Sequence, residues 1–306
     1  MIFAFLKFCL CYLGFIKRKR GILLMKNETQ VNISSYKNAT GEIMFNMTND
    51  YMFRVVNQKN PTVAKGISCA VLHLDPATVQ SAEITNPIIL GNSIDDKTFV
   101  LDIEVLLDNS AIINLEMQVI NEHNWQDRSL SYLCRSFDQL HQGDDYPMVK
   151  PAIHAGFLNF QPFPDFPQFH ASYKLMNEEN HMVYSDKFHL NVIDLTHIDL
   201  STDTDKEFQL DIWAKFFTAK TWEDVIMLAE NNPYIDNAAQ TLYEANADRL
   251  TQEQCRARRN YYKEKHAAEQ ELQKRDAIIL EQNAIIMEKD AQIAELEAQL
   301  AKLQND

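Results

Sequence analysis

Asp102, Glu116 and Gln118 are the residues of this 306-residue chain whose types and spacing best suit chemistry. They lie in two alternating segments. In the first, Phe99, Leu101, Ile103, Val105 and Leu107 share one face, and Val100, Asp102, Glu104 and Leu106 the other. In the second, Ile113, Leu115, Met117 and Val119 lie opposite Asn114, Glu116, Gln118 and Ile120. Asp108-Asn109-Ser110 between them is a turn signal, so the two segments read as a hairpin. A three-residue turn sets Asp102 against Glu116, Glu104 against Asn114 and Val100 against Gln118. Residues paired in this way have β-carbons about 4.5–5.5 Å apart. Two carboxylates that close repel unless a proton or a cation lies between them. Two hard oxygen ligands suit Mg²⁺ or Mn²⁺, ions able to polarise a phosphodiester and to acidify a water. Gln118 points the same way as Glu116, where its amide could orient the attacking water or a phosphate oxygen. On spacing alone a second reading stands beside this one: an ordinary amphipathic hairpin with one polar surface.

The elements that must position these residues are legible around the hairpin. Thr48-Asn49-Asp50 precedes the apolar run Tyr51-Met52-Phe53-Arg54-Val55-Val56, with Thr48 or Asn49 as N-cap and Asp50 in the first helical turn. Residues 63–74 read as a second helix portion and residues 127–140 as a third. Residues 149–160 and 181–193 read as strands joined by a Pro/Phe-rich loop at 161–168. From Asp205 onward the pattern is helical, interrupted at Asn231-Asn232-Pro233. A strand-rich block between helical blocks implies a mixed α/β core.

The last forty residues carry a seven-residue repeat. Leu272, Ile279, Ile286, Ile293 and Leu300 form an a-type series. The d-type series is Arg275, Gln282, Lys289, Leu296 and Leu303, apolar only at its C-terminal end. Four heptads without Pro or Gly argue for a coiled coil, with a long solvated helix as the alternative.

Composition narrows the function classes. Forty-three acidic against 29 basic residues give a formal charge of −14, which argues against a generally basic nucleic-acid coat protein but not against a nuclease with metal-binding carboxylates. Seven glycines argue against glycine-rich nucleotide folds, and no GxSxG or GxxxxGK[ST] motif is present. Five cysteines without regular spacing make a poor disulfide framework, and the chain reads as cytoplasmic. The nine histidines show no HxxxH or HExxH pattern, so zinc chemistry has little support in the sequence. Residues 2–16 are apolar except for Lys7, yet shorter than the ~20 residues of a spanning helix. A short anchor and a start codon placed upstream of the true one at Met25 are the two readings, with the second favoured. Arg256-Ala257-Arg258-Arg259, with Lys263 and Lys265, is a basic cluster holding Tyr261 and Tyr262. It suits either a DNA backbone or a helix face balancing nearby acids.

Taken together, Asp102, thirteen intervening residues and Leu115-Glu116-Met117-Gln118 resemble the D…ExQ variant of the PD-(D/E)XK nucleases, and within it the Rpn group of recombination-promoting, transposase-like nucleases. Thr48-Asn49-Asp50-Tyr51-Met52-Phe53 resembles that group's N-terminal signature. Arg128, Ser131 and Tyr132 fall where the group has a helix running R…Y, and residues 213–262, with Asn232-Pro233-Tyr234, resemble its helical C-terminal part. The resemblance covers roughly residues 43–265. It implies a restriction-endonuclease-like mixed sheet flanked by helices, followed by a helical region, to which the heptad repeat adds a C-terminal coiled coil. The organisation expected is an N-terminal segment at 1–42, a nuclease-like core at 43–200, a helical region at 201–265 and a coiled coil at 266–306. The resemblance implies Asp102 and Glu116 as ligands of Mg²⁺ or Mn²⁺, Gln118 at the lysine position of the parent motif, and Asp50 approaching the metal from the first helix. For Asp50 a helix-capping carboxylate is the alternative. Arg128 and Tyr132 share a helix face and could contact a substrate phosphate; the alternative pairs Arg128 with a neighbouring acid and puts Tyr132 in the core. The function implied is metal-dependent endonuclease cleavage of DNA; the heptad repeat separately leads to the expectation of homo-oligomers assembled through residues 268–303. The competing function is a catalytically inactive scaffold acting through its coiled coil.

Overall fold

The computed structural model describes residues 35–87 and 102–304, with side chains described up to residue 300. The apolar run at 2–16, the alternative start at Met25 and the expected strand residues Phe99, Val100 and Leu101 lie outside the described residues.

Two short helices open the fold, α1 (Asp50–Lys59) and α2 (Pro61–Val71). The Asn49 side chain accepts the Met52 N–H and caps α1, as the sequence predicts. Such a cap is worth about 1 kcal/mol. Asn60 ends α1 and caps α2, whose first residue is Pro61, so one asparagine and one proline make the corner. A three-residue strand β1 (Ala82–Ile84) follows, then the hairpin β2 (Ile103–Leu107) and β3 (Ala111–Gln118). The hairpin register is the one expected: Glu104 faces Asn114, and Leu107 faces Ala111 across a three-residue turn. Asp108 and Asn109 hold that turn at φ 47° and 52°, a conformation that Asp and Asn tolerate better than other side chains. Asp108 also accepts the Gln80 and Ser81 N–H groups, tying the turn to the chain before β1.

Helix α3 (Trp125–Phe137) carries the chain from β3 to the parallel strand β4 (Ala152–Leu158). The Pro/Phe-rich loop then leads to β5 (His170–Met176), and a second hairpin returns along β6 (Val183–Asp194). The sheet order is β1-β2-β3-β4-β6-β5, parallel at its centre and antiparallel at both ends. Strands β1 and β5 are absent from the sequence reading. β1 has only three residues, and β5 (HASYKLM) is an edge strand exposed along most of its length, so neither carries a clean alternation. The remainder is helical: α4 (Asp203–Glu207), α5 (Leu210–Thr218), α6 (Trp222–Ala229), α7 (Pro233–Ala247) and the 56-residue α8 (Arg249–Gln304). The Asn231-Asn232-Pro233 interruption becomes the start of α7, with Asn232 capping and Pro233 in first position.

The two faces of the sheet are covered differently. Ile103, Val105, Ile113, Leu115, Met117, Ile153, Ala155, Phe157 and Ile193 pack against α1, α2, α5, α6 and α7 in one large core. Phe53, Phe157 and Phe217 meet there in edge-on and tilted ring contacts. Helices after residue 200 share this core through Leu210, Trp213, Val225, Ile235 and Leu242. Among the described residues, the opposite face is covered chiefly by α3, over a small apolar cluster of Trp125, Leu158 and Val192. The polar residues of β3 and β4 are buried on this second face. Among the described residues, no helix is long and apolar enough to cross a membrane.

Candidate active site

The site is built on β2, β3 and β4 beneath α3. Glu116 stands on β3 with Gly156 of β4 paired to it on one side. One step past the Ile103–Leu115 pair, the register brings Asp102 opposite Glu116 on the other side. Asn114 and His154 face each other two pairs along, on the same face, and Gln118 follows two residues after Glu116. Asp102, Asn114, Glu116, Gln118 and His154 are all buried. The polar hairpin face is therefore no solvated surface, because α3 lies across it. Gly156 makes that possible: a β-carbon there would sit 2.0 Å from the Trp125 ring, so only a glycine lets the indole lie against the strand.

Glu116 is held asymmetrically. Arg128, one turn into α3, places Nε and Nη2 each 2.7 Å from Oε1. Oε2 is buried without a hydrogen-bond partner, and so is Oδ1 of Asp102. His154 Nε2 lies 3.6 Å from Oε2, too long for a hydrogen bond. His154 cannot supply charge. Burial, helped by the Arg128 cation, pushes its pKa down to about 3, so the ring is neutral. Asn114 Nδ2 lies 3.1 Å from His154 Nδ1 and donates to it, so the ring proton sits on Nε2, directed toward Glu116. Burial raises the Glu116 carboxyl to about 7, with Arg128 opposing the rise and Asp102 adding to it. Asp102 is raised as well, chiefly by burial, while Arg54 and Asn114 pull it down. Two buried carboxyls, each short of a partner on one oxygen and each destabilised as anions, form a pair that a cation would satisfy. The donor set is hard oxygen, which fits Mg²⁺ or Mn²⁺.

Arg54 positions Asp102 from beneath. Fully buried on α1, its guanidinium donates to the Asp102 main-chain carbonyl and to the Asn86 carbonyl, with Asn86 Oδ1 and Gln58 Oε1 each at 3.2 Å. Asn86 Nδ2 also donates to the Asp102 carbonyl, and Asn86 Oδ1 accepts the Glu104 N–H. Burial lowers the Arg54 pKa to about 10, a fall opposed by Asp102, and the side chain remains a cation at neutral pH. Sequence reading passed over Arg54 and His154. Arg54 sits in an apolar run that reads as core helix, and its signal is the charge itself. His154 shares its strand parity with Gly156, which no local pattern marks as a site.

The remaining sequence-derived residues are placed as follows. Gln118 is buried, its Nε2 donating to the Ile120 carbonyl at 3.2 Å, which fixes the amide. Tyr132 stacks on His154, with rings 3° from parallel and 5.9 Å apart, and the Arg128 and Arg135 guanidiniums lie 5.1 and 5.6 Å from its ring centre. Asp50 starts α1, but both its oxygens face α8. Arg258 Nε lies 3.2 and 3.0 Å from them, Arg258 Nη2 also donates to Oδ2, and Tyr262 Oη lies 2.6 Å from Oδ2. Lys265, farther along α8, pairs with Glu122 just after β3. The basic cluster thus divides. Arg258 and Lys265 balance acids, while Arg259 and Lys263 line an open cleft of about 630 Å³ with Lys220 and His266. That cleft borders Val119 and Ile120, the residues directly after Gln118.

The family model for PD-(D/E)XK nuclease family transposases matches residues 47–271. No curated protein and no solved structure matches the chain significantly. The chain belongs to the PD-(D/E)XK nuclease family transposases, and the heptad tail from Leu272 onward lies beyond the matched segment.

Proposed function

We propose that this member of the PD-(D/E)XK nuclease family transposases is a divalent-metal-dependent DNA endonuclease of the recombination-promoting, Rpn type. The observation that carries the reading is the pair of unpartnered buried oxygens, Asp102 Oδ1 and Glu116 Oε2, on facing strands. Asp102 and Glu116 would hold Mg²⁺ or Mn²⁺, which would supply Lewis-acid stabilisation of phosphate charge and lower the pKa of water. The chain's own residues do the rest. Arg54 and Asn86 hold the Asp102 backbone in place. Arg128, whose side chain is about one-third exposed, neutralises Glu116 and reaches the surface where a phosphate arrives. Gln118, fixed by Ile120, presents its amide beside Glu116 to orient a water or a phosphate oxygen. Tyr132 keeps the Arg128 face of α3 in register over the strands. Asp50 acts at one remove, anchoring α8 through Arg258 and Tyr262.

An acidic chain needs local basic groups to meet DNA. The cleft lined by Lys220, Arg259, Lys263 and His266 supplies them next to the end of β3, and binding there weakens steeply with salt. Assembly of two copies through the exposed heptad stripe would double those contacts. A second reading, an inactive scaffold, draws on Gln118 replacing the lysine of the parent motif and on the tail beyond the family match.

The test is cleavage of supercoiled plasmid under Mg²⁺ and Mn²⁺ titration by the wild type, Asp102→Asn and Glu116→Gln. Metal-dependent nicking lost at least ~100-fold in both variants supports the endonuclease. Equal cutting by all three removes the site assignment, and no cutting by the wild type favours the scaffold.

A further inference from the structure

We infer that His73, His170 and Asp205 form a second metal site, for a zinc-class transition ion, distinct from the Asp102–Glu116 pair. The three residues are 132 positions apart in sequence from first to last and converge only in the fold. His73 sits in the turn after α2 at φ 52°, His170 opens the edge strand β5, and Asp205 lies in α4. Their ligand atoms all lie within 4.8 Å of one another. The cluster belongs to the face of the sheet that α1 and α2 cover, because His170 pairs with the core residue Ile193. Glu116 is on the other face and three strands away, ~14 Å by strand spacing alone.

The hydrogen bonds around Asp205 leave one oxygen for the imidazoles. Oδ2 accepts the Thr202 N–H at 2.8 Å and the Thr202 hydroxyl at 2.6 Å, closing a capping box. Oδ1 faces His73 Nε2 at 3.2 Å and His170 Nδ1 at 3.0 Å. The other nitrogen of His170, Nε2, lies 3.2 Å from Asn191 Oδ1, an acceptor that takes the ring proton. In the tautomer with its proton on Nε2, His170 turns the Nδ1 lone pair toward the Asp205 carboxylate. That contact is repulsive unless something positive lies between them, either a second ring proton or a metal ion.

Three features favour the ion. The N···O separations of 3.0 and 3.2 Å are close to the edge of a tetrahedron drawn with ordinary zinc–nitrogen and zinc–oxygen bonds, about 3.3 Å. Asn191 holds the non-ligating nitrogen of His170, the arrangement by which metal-bound histidines are oriented. Phe208 stacks on the His73 ring at 5.3 Å and restrains its plane, and the His73 side chain is 30% exposed, so water reaches this edge of the cluster. Two imidazoles and one carboxylate suit Zn²⁺ or its neighbours, whereas the all-oxygen pair on the other face suits Mg²⁺. An ion held by these three side chains would fasten an edge strand, a helix-ending turn and α4 together.

The test uses the full chain, stripped with chelator and then kept in saturating Mg²⁺ to occupy the oxygen pair. Titration with Zn²⁺ by calorimetry, and with Co²⁺ by visible absorption, should show one tight equivalent. It should also show the d–d bands of tetrahedral cobalt and a raised melting temperature. Glu116→Gln should retain all three, and His73→Asn or His170→Gln should weaken Zn²⁺ binding at least ~100-fold. The cobalt spectrum of the wild type keeps the proposal falsifiable if a variant fails to fold. A wild type without Zn²⁺ binding or cobalt bands means that a proton alone bridges the pair, and the proposal falls. It falls equally if the Zn²⁺ is lost in Glu116→Gln and kept in the histidine variants.

Discussion

Arg128 grips Glu116 from one side only: Nε and Nη2 both approach Oε1 at 2.7 Å, and Oε2 is left buried and unpartnered. The arginine comes from the helix that covers the site, and the glutamate from the strand beneath it. The same contact therefore docks α3 and half-neutralises the carboxylate, leaving one oxygen for a cation.

This relationship makes stability depend on pH and metal. The Glu116 carboxyl is raised to about 7 in the fold, against an ordinary value near 4.5. Its stabilising contribution is complete below the unfolded value and is lost as pH rises through about 7. At pH 8 the ionised group then costs on the order of 3 kcal/mol without metal. Thermal unfolding in chelator should show Glu116→Gln gaining on the wild type between pH 5 and pH 8. Mg²⁺ at pH 8 should raise the wild-type melting temperature and leave that of Glu116→Gln unmoved. A difference between the two proteins that ignores pH would refute the burial argument.

Gly156 and Trp125 form a second interdependent pair. A β-carbon at 156 falls 2.0–2.2 Å from the indole, so Gly156→Ala must push α3 outward. We expect a loss of roughly 3 kcal/mol, the upper range of ordinary overpacking, and loss of cleavage as Arg128 and Tyr132 move with the helix. Trp125→Leu creates room, so the double variant should be more stable than Gly156→Ala alone. Denaturant titration of the four proteins measures the coupling.

Asp50 is buried against Arg258 and Tyr262, with side chains only 4% and 14% exposed for the ion pair. Arg258→Met removes the cation and leaves the carboxylate enclosed, which should cost about 3–5 kcal/mol. Asp50→Asn combined with Arg258→Met should recover much of that loss, as urea unfolding would show. If the single variant were as stable as the wild type, α8 would not depend on this contact for its docking.

The heptad tail lies beyond the segment that the family model matches. Leu272, Ile279, Ile286, Ile293 and Leu300 are each 52–59% exposed in the single chain, an apolar stripe at heptad spacing that no other described residue covers. Deleting residues 268–306 should convert an oligomer into a monomer by light scattering. It should change the unfolding free energy of the core by no more than about 0.5 kcal/mol. A full-length protein already monomeric at micromolar concentration would leave the heptads a solvated helix.

Much of this was legible beforehand because it is local. Alternation between Ile103 and Leu107 and between Ile113 and Met117 encodes strands by a period of two, and Asp108-Asn109-Ser110 encodes their turn. Together these set the register that places Asp102 against Glu116. Asn49 announces a helix start by the same short-range chemistry, whereas Asn231-Asn232-Pro233 reads only as an interruption and the fold makes Asn232 the cap of α7. Strand β5 escaped because it is an edge strand with little burial to impose a pattern.

By itself, then, the sequence determined which residues share a strand face, where helices begin, and that the tail repeats every seven residues. Each of these follows from backbone periodicity within a few neighbours. Only the tertiary structure decided that the hairpin's polar face is dry, that Arg128 and a neutral His154 surround Glu116, and that Arg54 holds the Asp102 backbone. It also decided that two histidines 97 residues apart meet at Asp205. Burial and charge proximity are properties of distance in space, and distance in space is set by how α3 and the sheet edges dock.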